Sequence, residues 1–160
     1  MPLDAMAIYH AWNALDSGAS AQLRRVAEPD DLRDIPAFYR LVQHLGWHNP
    51  ANQRPLLRVV FCLSAGKHVI RHAEPSEKHP HGISLGKALA VNEKINERRL
   101  YQLLRAEWPQ DMVQLRRLLI HAEPILHWPT MVEQLTWWNE RARRQLLEDF
   151  VLAQPQKKTA

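Results

Sequence analysis

Cysteine, glycine and lysine are scarce in this chain: one, five and six residues respectively in 160. With Cys62 alone no internal disulfide can form, which suits a reducing compartment. Its place in the apolar run 56–63 predicts a small core residue rather than a reactive thiol. Few glycines, beside eleven prolines and 46% apolar residues, exclude a low-complexity or disordered chain. No apolar stretch reaches the roughly twenty residues that cross a bilayer, and residues 1–20 lack a charged start followed by an apolar block. A cytoplasmic protein with no membrane partner is expected. The length suits one domain or two small helical ones, with enough chain to bury a core.

Enzyme signatures are missing as well. The segment 61–68 ends in Gly66-Lys67 in the manner of a phosphate loop, but Phe61 stands where the first glycine is required and His68 where a hydroxyl must meet magnesium. No G-x-S-x-G elbow occurs. Of the nine histidines, His68 and His72 are four apart with His79 and His81 nearby, while Gly46 separates His44 from His48. Without a clustered cysteine or carboxylate pattern they read as surface residues, and neither a metal nor another cofactor is expected. The acidic pairs Asp30-Asp31 and Glu148-Asp149 read as caps and solvated helix faces, so no catalytic chemistry is inferred.

The apolar spacing is helical almost throughout. It predicts helices over 4–16, 20–27, 36–45, 52–65, 84–90, 92–107, 111–122 and 130–152, with a break at Glu28-Pro29-Asp30 and ends at Gly46 and Gly66. Asn92 and Asp111 suit N-caps, and Thr130 with Glu133 fits a capping box. The stretch 73–82 (AEPSEKHPHG) holds two prolines, a glycine and five charged or histidine side chains, the composition of a linker. The expected fold is all-α, with an N-terminal bundle over 1–72, a short linker over 73–82 and a C-terminal bundle over 83–160.

Arginine is the residue present in excess. Nine of the fifteen lie in four clusters: Arg24-Arg25, Arg98-Arg99, Arg116-Arg117, and Arg141, Arg143 and Arg144. Guanidinium is planar, permanently charged and forked, so it meets phosphate oxygens bidentately where an ammonium offers a point charge. The net charge of +4 and the pI near 9.5 favour polyanionic partners, and Lys157 and Lys158 at the terminus are not their main source. Helical spacing sorts the cations. Arg98, Gln102 and Arg105 form a stripe opposite Leu100, Leu103, Leu104 and Trp108; Gln114, Arg117 and His121 form another. Arg116 falls between Met112, Val113, Leu119 and Ile120 and reads as a structural or interface residue. On the last helix Met131, Leu135, Trp138, Ala142 and Leu146 point inward, leaving Trp137, Arg141, Arg144 and Glu148 outside. An exposed tryptophan among arginines stacks on an unpaired base or a guanidinium, or is covered by a neighbouring helix or subunit. Solvated ion pairing explains any single cluster; four together lean towards nucleic acid.

Long ordered strings also carry a resemblance. They are RRVAEPDDLRDIPAFYRLVQHLGW at 24–47, LLRVVFCLSAGKHVIRH at 56–72, GISLGKALA at 82–90, INERRLYQLLRAE at 95–107, DMVQLRRLLIHAEPILHWP at 111–129 and LTWWNERARRQLLEDFVL at 135–152. The chain resembles the CasB small-subunit family of the type I-E CRISPR surveillance complex Cascade, in order from about residue 5 to residue 152, departing mainly at the histidine-rich linker and the two ends. The resemblance implies a non-catalytic, all-helical protein of two small bundles. It further implies two copies lining a complex built on a guide RNA, touching its backbone subunits, its large subunit and each other. Their implied task is to stabilise the R-loop by holding opened, single-stranded DNA along a basic surface. The matched positions expected to bind nucleic acid are Arg24, Arg25, Arg98, Arg99, Arg117, Arg141, Arg143 and Arg144, with Lys67 and Arg71 behind them; the match does not sort DNA-facing from protein-facing arginines. The alternative is a free-standing, sequence-tolerant nucleic-acid-binding protein or regulator, for which a recognition helix and a half-site spacing are needed. A histidine-dependent metallonuclease is the remaining class.

Overall fold

The computed structural model describes residues 2–154, so Lys157 and Lys158 lie outside the described residues. The fold is helical, as expected, with one two-stranded parallel element of two residues per strand. Helix α1 (Ala5–Ala14) starts where the Asp4 side chain accepts from Ala7 N at 3.0 Å. Helix α2 (Ser17–Arg24) begins earlier than the spacing predicts because Asp16 caps it through Ala19 N at 2.7 Å. The expected break becomes a 3-10 helix, Pro29–Asp34, in which the Asp31 carboxylate accepts from Glu28 N at 3.0 Å. Proline starts both α3 (Pro36–Val42) and α4 (Pro50–Leu63), where its missing N–H costs nothing. Between them Gly46, at φ 98°, occupies a left-handed conformation that would bring a Cβ to 2.7 Å from Asn52 Nδ2.

Helix α4 is the axis of the core. Leu56, Leu57, Val59, Val60, Phe61, Cys62 and Leu63 are all buried, and a helix apolar over most of its circumference must be largely surrounded. Helices α7 (Gln110–Ala122) and α8 (Trp128–Thr136) supply much of that cover, and α1 lies against α8. The Trp128 indole closes that contact by donating to Ala5 O at 2.8 Å. Elements on both sides of residues 73–82 thus share one apolar cluster. Strand β1 (Arg71–His72), just before that segment, pairs with β2 (Ile125–Leu126) in the register Arg71 to Ile125 and His72 to Leu126. On the far side α5 (Leu85–Ala90) lies so close to α9 (Glu140–Ala153) that a Cβ on Gly86 would stand 2.6 Å from Asp149 Cβ.

Five sequence expectations are corrected here. The helix expected over 92–107 is α6 (Glu97–Arg105), capped by Asn96 through Arg99 N at 2.9 Å. Asn92 instead donates to Ala122 O at 3.3 Å, tying α5's exit to the end of α7. Asp111 is not the N-cap but lies inside the first turn of α7, where its buried carboxylate accepts from Met112 N at 2.7 Å and from the Trp138 indole at 3.1 Å. Thr130 hydrogen-bonds His127 Nδ1 at 2.7 Å rather than forming a capping box, because α8 already starts at Trp128. The single helix expected over 130–152 is two, α8 and α9, parted at 137–139, where Asn139 accepts from Ala142 N at 2.9 Å and starts a new helix.

Candidate nucleic-acid interface

Helices α6 and α7 pack against each other with Leu100, Leu103, Leu115, Leu118 and Leu119 buried, which leaves their polar edges side by side. The groove between those edges is lined by Arg99 and Gln102 from α6 and Gln114, Arg117 and His121 from α7. The α7 stripe is therefore the one read from helical spacing. On α6 the residues that join it are Arg99 and Gln102, while Arg98 and Arg105 are exposed and do not line the groove. Arg99 and Arg117 have no carboxylate within 4.0 Å among the described residues, so two unneutralised guanidinium groups stand beside neutral amide donors. That combination can bind phosphate oxygens without choosing among bases.

The remaining predicted residues fall into separate places. Arg24 and Arg25 are exposed at the end of α2. Arg141 and Arg144 are exposed on α9, where Arg144 pairs with Glu140 at 2.5 Å; such a solvated pair is worth under about 1 kcal/mol and is readily exchanged for phosphate. Arg143, between them, turns inward and its Nε is buried without a hydrogen-bond partner. Lys67 is half-buried, and its Nζ donates to Leu15 O, just past α1, and, at 3.4 Å, to Asn13 O in its last turn. Arg71 donates from Nη2 to Glu123 O at 3.0 Å, just past α7. Both cations satisfy carbonyls where helix dipoles end negative.

Arg116 is structural, as its position among apolar neighbours predicts. Its Nη1 donates to Ser64 Oγ at 3.1 Å and its Nη2 to Val26 O at 2.6 Å. Its guanidinium carbon lies 3.9 Å from the Phe61 ring centroid. Burial, the largest cause, lowers its pKa from the ordinary arginine value.

Sequence reading missed one arginine group. Arg54 and Arg58, four apart on α4, place their guanidinium carbons 4.0 and 5.8 Å from the Trp108 ring centroid. The Trp108 indole donates to Asp30 Oδ2 at 3.3 Å. Arg58 reaches Leu135 O with Nη1 at 3.0 Å, and burial, the largest cause, lowers its pKa. The available signal was the i, i+4 spacing of the two arginines; their tryptophan comes from the other half of the chain.

His72, His127 and Cys62 make protein contacts, while His44, His48, His68, His81 and His121 are exposed. His72 Nδ1 accepts from Trp128 N at 3.1 Å, which puts the proton on Nε2, 2.8 Å from Glu74 Oε1. That hydrogen bond, the largest cause, holds the Glu74 carboxyl below its ordinary pKa. Among the described residues no group of three or more histidine, cysteine, aspartate or glutamate side chains could hold a metal. Cys62 is fully buried, and burial pushes its thiol up to about 12, so it carries no thiolate at neutral pH. No helix among the described residues is long and apolar enough to cross a membrane.

Fold and surface together define a small, mostly helical protein that, among the described residues, exposes unpaired guanidinium groups beside amides. The chain belongs to the family of CRISPR-associated protein Cse2, whose family model matches residues 19–150. It is 65% identical over 150 residues to the CRISPR system Cascade subunit CasB of Escherichia coli strain K12, covering 94% of each protein. It also resembles, at 64% identity and a TM-score of 0.91, a chain in the crystal structure of E. coli Cascade bound to a PAM-containing double-stranded DNA target. That likeness covers 96% of this chain and 99% of the other.

Proposed function

We propose that this protein is a non-catalytic subunit of a guide-RNA-directed DNA surveillance complex, in which its basic surface holds opened DNA and stabilises the R-loop. The observation that carries this reading is the α6–α7 groove, where Arg99 and Arg117 meet without a carboxylate partner beside Gln102, Gln114 and His121. Similarity to CasB along nearly the whole chain supports the assembly, with backbone and large subunits, a guide RNA and a second copy of this chain as partners.

R-loop formation exchanges a DNA duplex for a hybrid of similar stability, so a few phosphate contacts suffice to tip it. Sequence choice is left to the guide. The cations are spread over several faces rather than gathered at the start of one recognition helix, which suits backbone tracking better than the half-site reading of a regulator.

The test compares R-loop lifetimes on matched DNA for complexes containing the parental chain, an Arg99→Ala, Arg117→Ala double variant, or no copy of this subunit. Lifetimes should fall in that order while guide-RNA binding stays unchanged. For the isolated chain, loss of two single-strand phosphate contacts should make the slope of log affinity against log salt shallower by up to about 1.4. Equal lifetimes with and without the subunit would defeat the proposal.

A further inference from the structure

Trp137 and Trp138 are adjacent, yet their surroundings are opposite. Trp138 is 6% exposed and donates its indole N–H to Asp111, whereas Trp137 is 67% exposed. Among the described residues the Trp137 indole has no hydrogen bond, ring partner or stacked cation. Exposing a large ring in this way forfeits the burial that usually justifies a tryptophan. The break between α8 and α9 creates the arrangement: Trp137 ends α8 while Asn139 starts α9, so the ring belongs to neither helix's packed face.

Trp137 edges a groove between α5, α8 and α9, together with Arg141, Gln134, Asn139 and Ser84. The groove is polar as well as open. Gln134 Nε2 is engaged by Ala142 O at 3.0 Å, leaving its Oε1 as an acceptor. Asn139 Oδ1 caps α9, leaving its amide nitrogen as a donor. Arg141 has no carboxylate within 4.0 Å among the described residues. Glu133 and Asp149 also line the groove, so its inner wall repels phosphate and accepts hydrogen bonds.

We propose that this groove is a nucleobase subsite: one unpaired base of a single strand stacks on Trp137, its edge faces the amides of Gln134 and Asn139, and its phosphate lies on Arg141. A ring face, an amide-lined wall and a cation at the rim match the three parts of a nucleotide, and base stacking tolerates any sequence because every base has a π-face. The acids favour the base end of the nucleotide at the wall and leave the phosphate to the arginine. The subsite rests on the R-loop reading above and adds to it the one contact that phosphate neutralisation cannot make.

The test uses the full chain with a labelled single-stranded DNA and an abasic strand of equal length and charge. Trp137→Ala should weaken binding of the base-bearing strand by about fivefold or more and leave the abasic strand unchanged. Trp137→Phe should retain most of the binding, and Arg141→Ala should weaken both strands alike. Circular dichroism checks that each variant is folded. Equal effects of Trp137→Ala on the two strands, or none on either, would overturn the subsite; if binding still depends on Arg99 and Arg117, the R-loop reading survives that result. A Trp137→Ala chain that binds DNA normally but is lost from the co-purified complex would likewise overturn it and mark a protein-covered surface. A parental chain that binds neither strand defeats both proposals.

Discussion

Arg116 and Arg117 are neighbours in the chain and belong to different regions of the molecule. On the seam between α4 and α7, Arg116 is fixed by Ser64, Val26 and the Phe61 ring, and burial lowers its pKa. In the groove between α6 and α7, Arg117 stands exposed beside Arg99 with no acidic partner among the described residues. The same guanidinium is a structural donor in one place and an available anion receptor in the other. What separates them is one residue's rotation of about 100° around the helix, set against which side of α7 faces α4. Arginine-rich composition therefore says little about binding until burial divides the arginines.

The largest effect should come from breaking the seam. Arg116→Ala removes two charged hydrogen bonds and leaves Ser64 without that donor, which should lower stability by about 2–3 kcal/mol. Arg117→Ala should stay within about 0.5 kcal/mol of the parental chain. Denaturant midpoints of the two variants measure the contrast, and equal losses would erase the distinction between the regions.

Next come the paired tryptophans. Trp138→Phe strips the indole donor from the buried Asp111 carboxylate and should cost about 1.5–2 kcal/mol, whereas Trp137→Phe should change stability by less than about 0.5 kcal/mol. Thermal transitions of the two variants compare them directly.

The effect that is smallest at neutral pH concerns Cys62, whose thiol feels Arg116 on the same seam. Its thiol is raised from the ordinary 9.0 to about 12 by burial, so the unfolded chain ionises first as pH rises. The stabilisation from keeping this group neutral is full below pH 9.0 and declines towards 12, at up to about 1.4 kcal/mol per pH unit. Unfolding measured across that range should show the decline, and Cys62→Ala should remove this component. Alkylation of the folded protein at neutral pH should proceed only as fast as the chain unfolds.

Periodicity exposed much of the helical content and the inward faces, because burial repeats with the helix turn: Leu100, Leu103, Met131, Leu135 and Leu146 are all buried. The contrast between Arg116 and Arg117 was legible for the same reason. The break at 137–139 was not, since the apolar repeat continues through it. Asn92 and Asp111 have the chemistry of caps and do accept from the nearby amides of Lys94 and Met112, but neither starts a helix, and each also holds a tertiary partner, the end of α7 and the Trp138 indole. Long-range pairs were equally invisible: Trp108 with Arg54 and Arg58, and His72 with Trp128, meet only after α4 is enclosed and β1 pairs with β2.

By itself the amino-acid order determined a helical chain with an apolar α4, a core thiol and clustered guanidinium groups, because helix propensity, periodic burial and fixed charge are local properties. It also contained the strings that mark the family. Only the tertiary structure decided which arginines are left free and which tryptophan of an adjacent pair is exposed. Those outcomes depend on how helices separated in sequence share surface, and a side chain's solvent and hydrogen-bond partners exist only once that packing is complete.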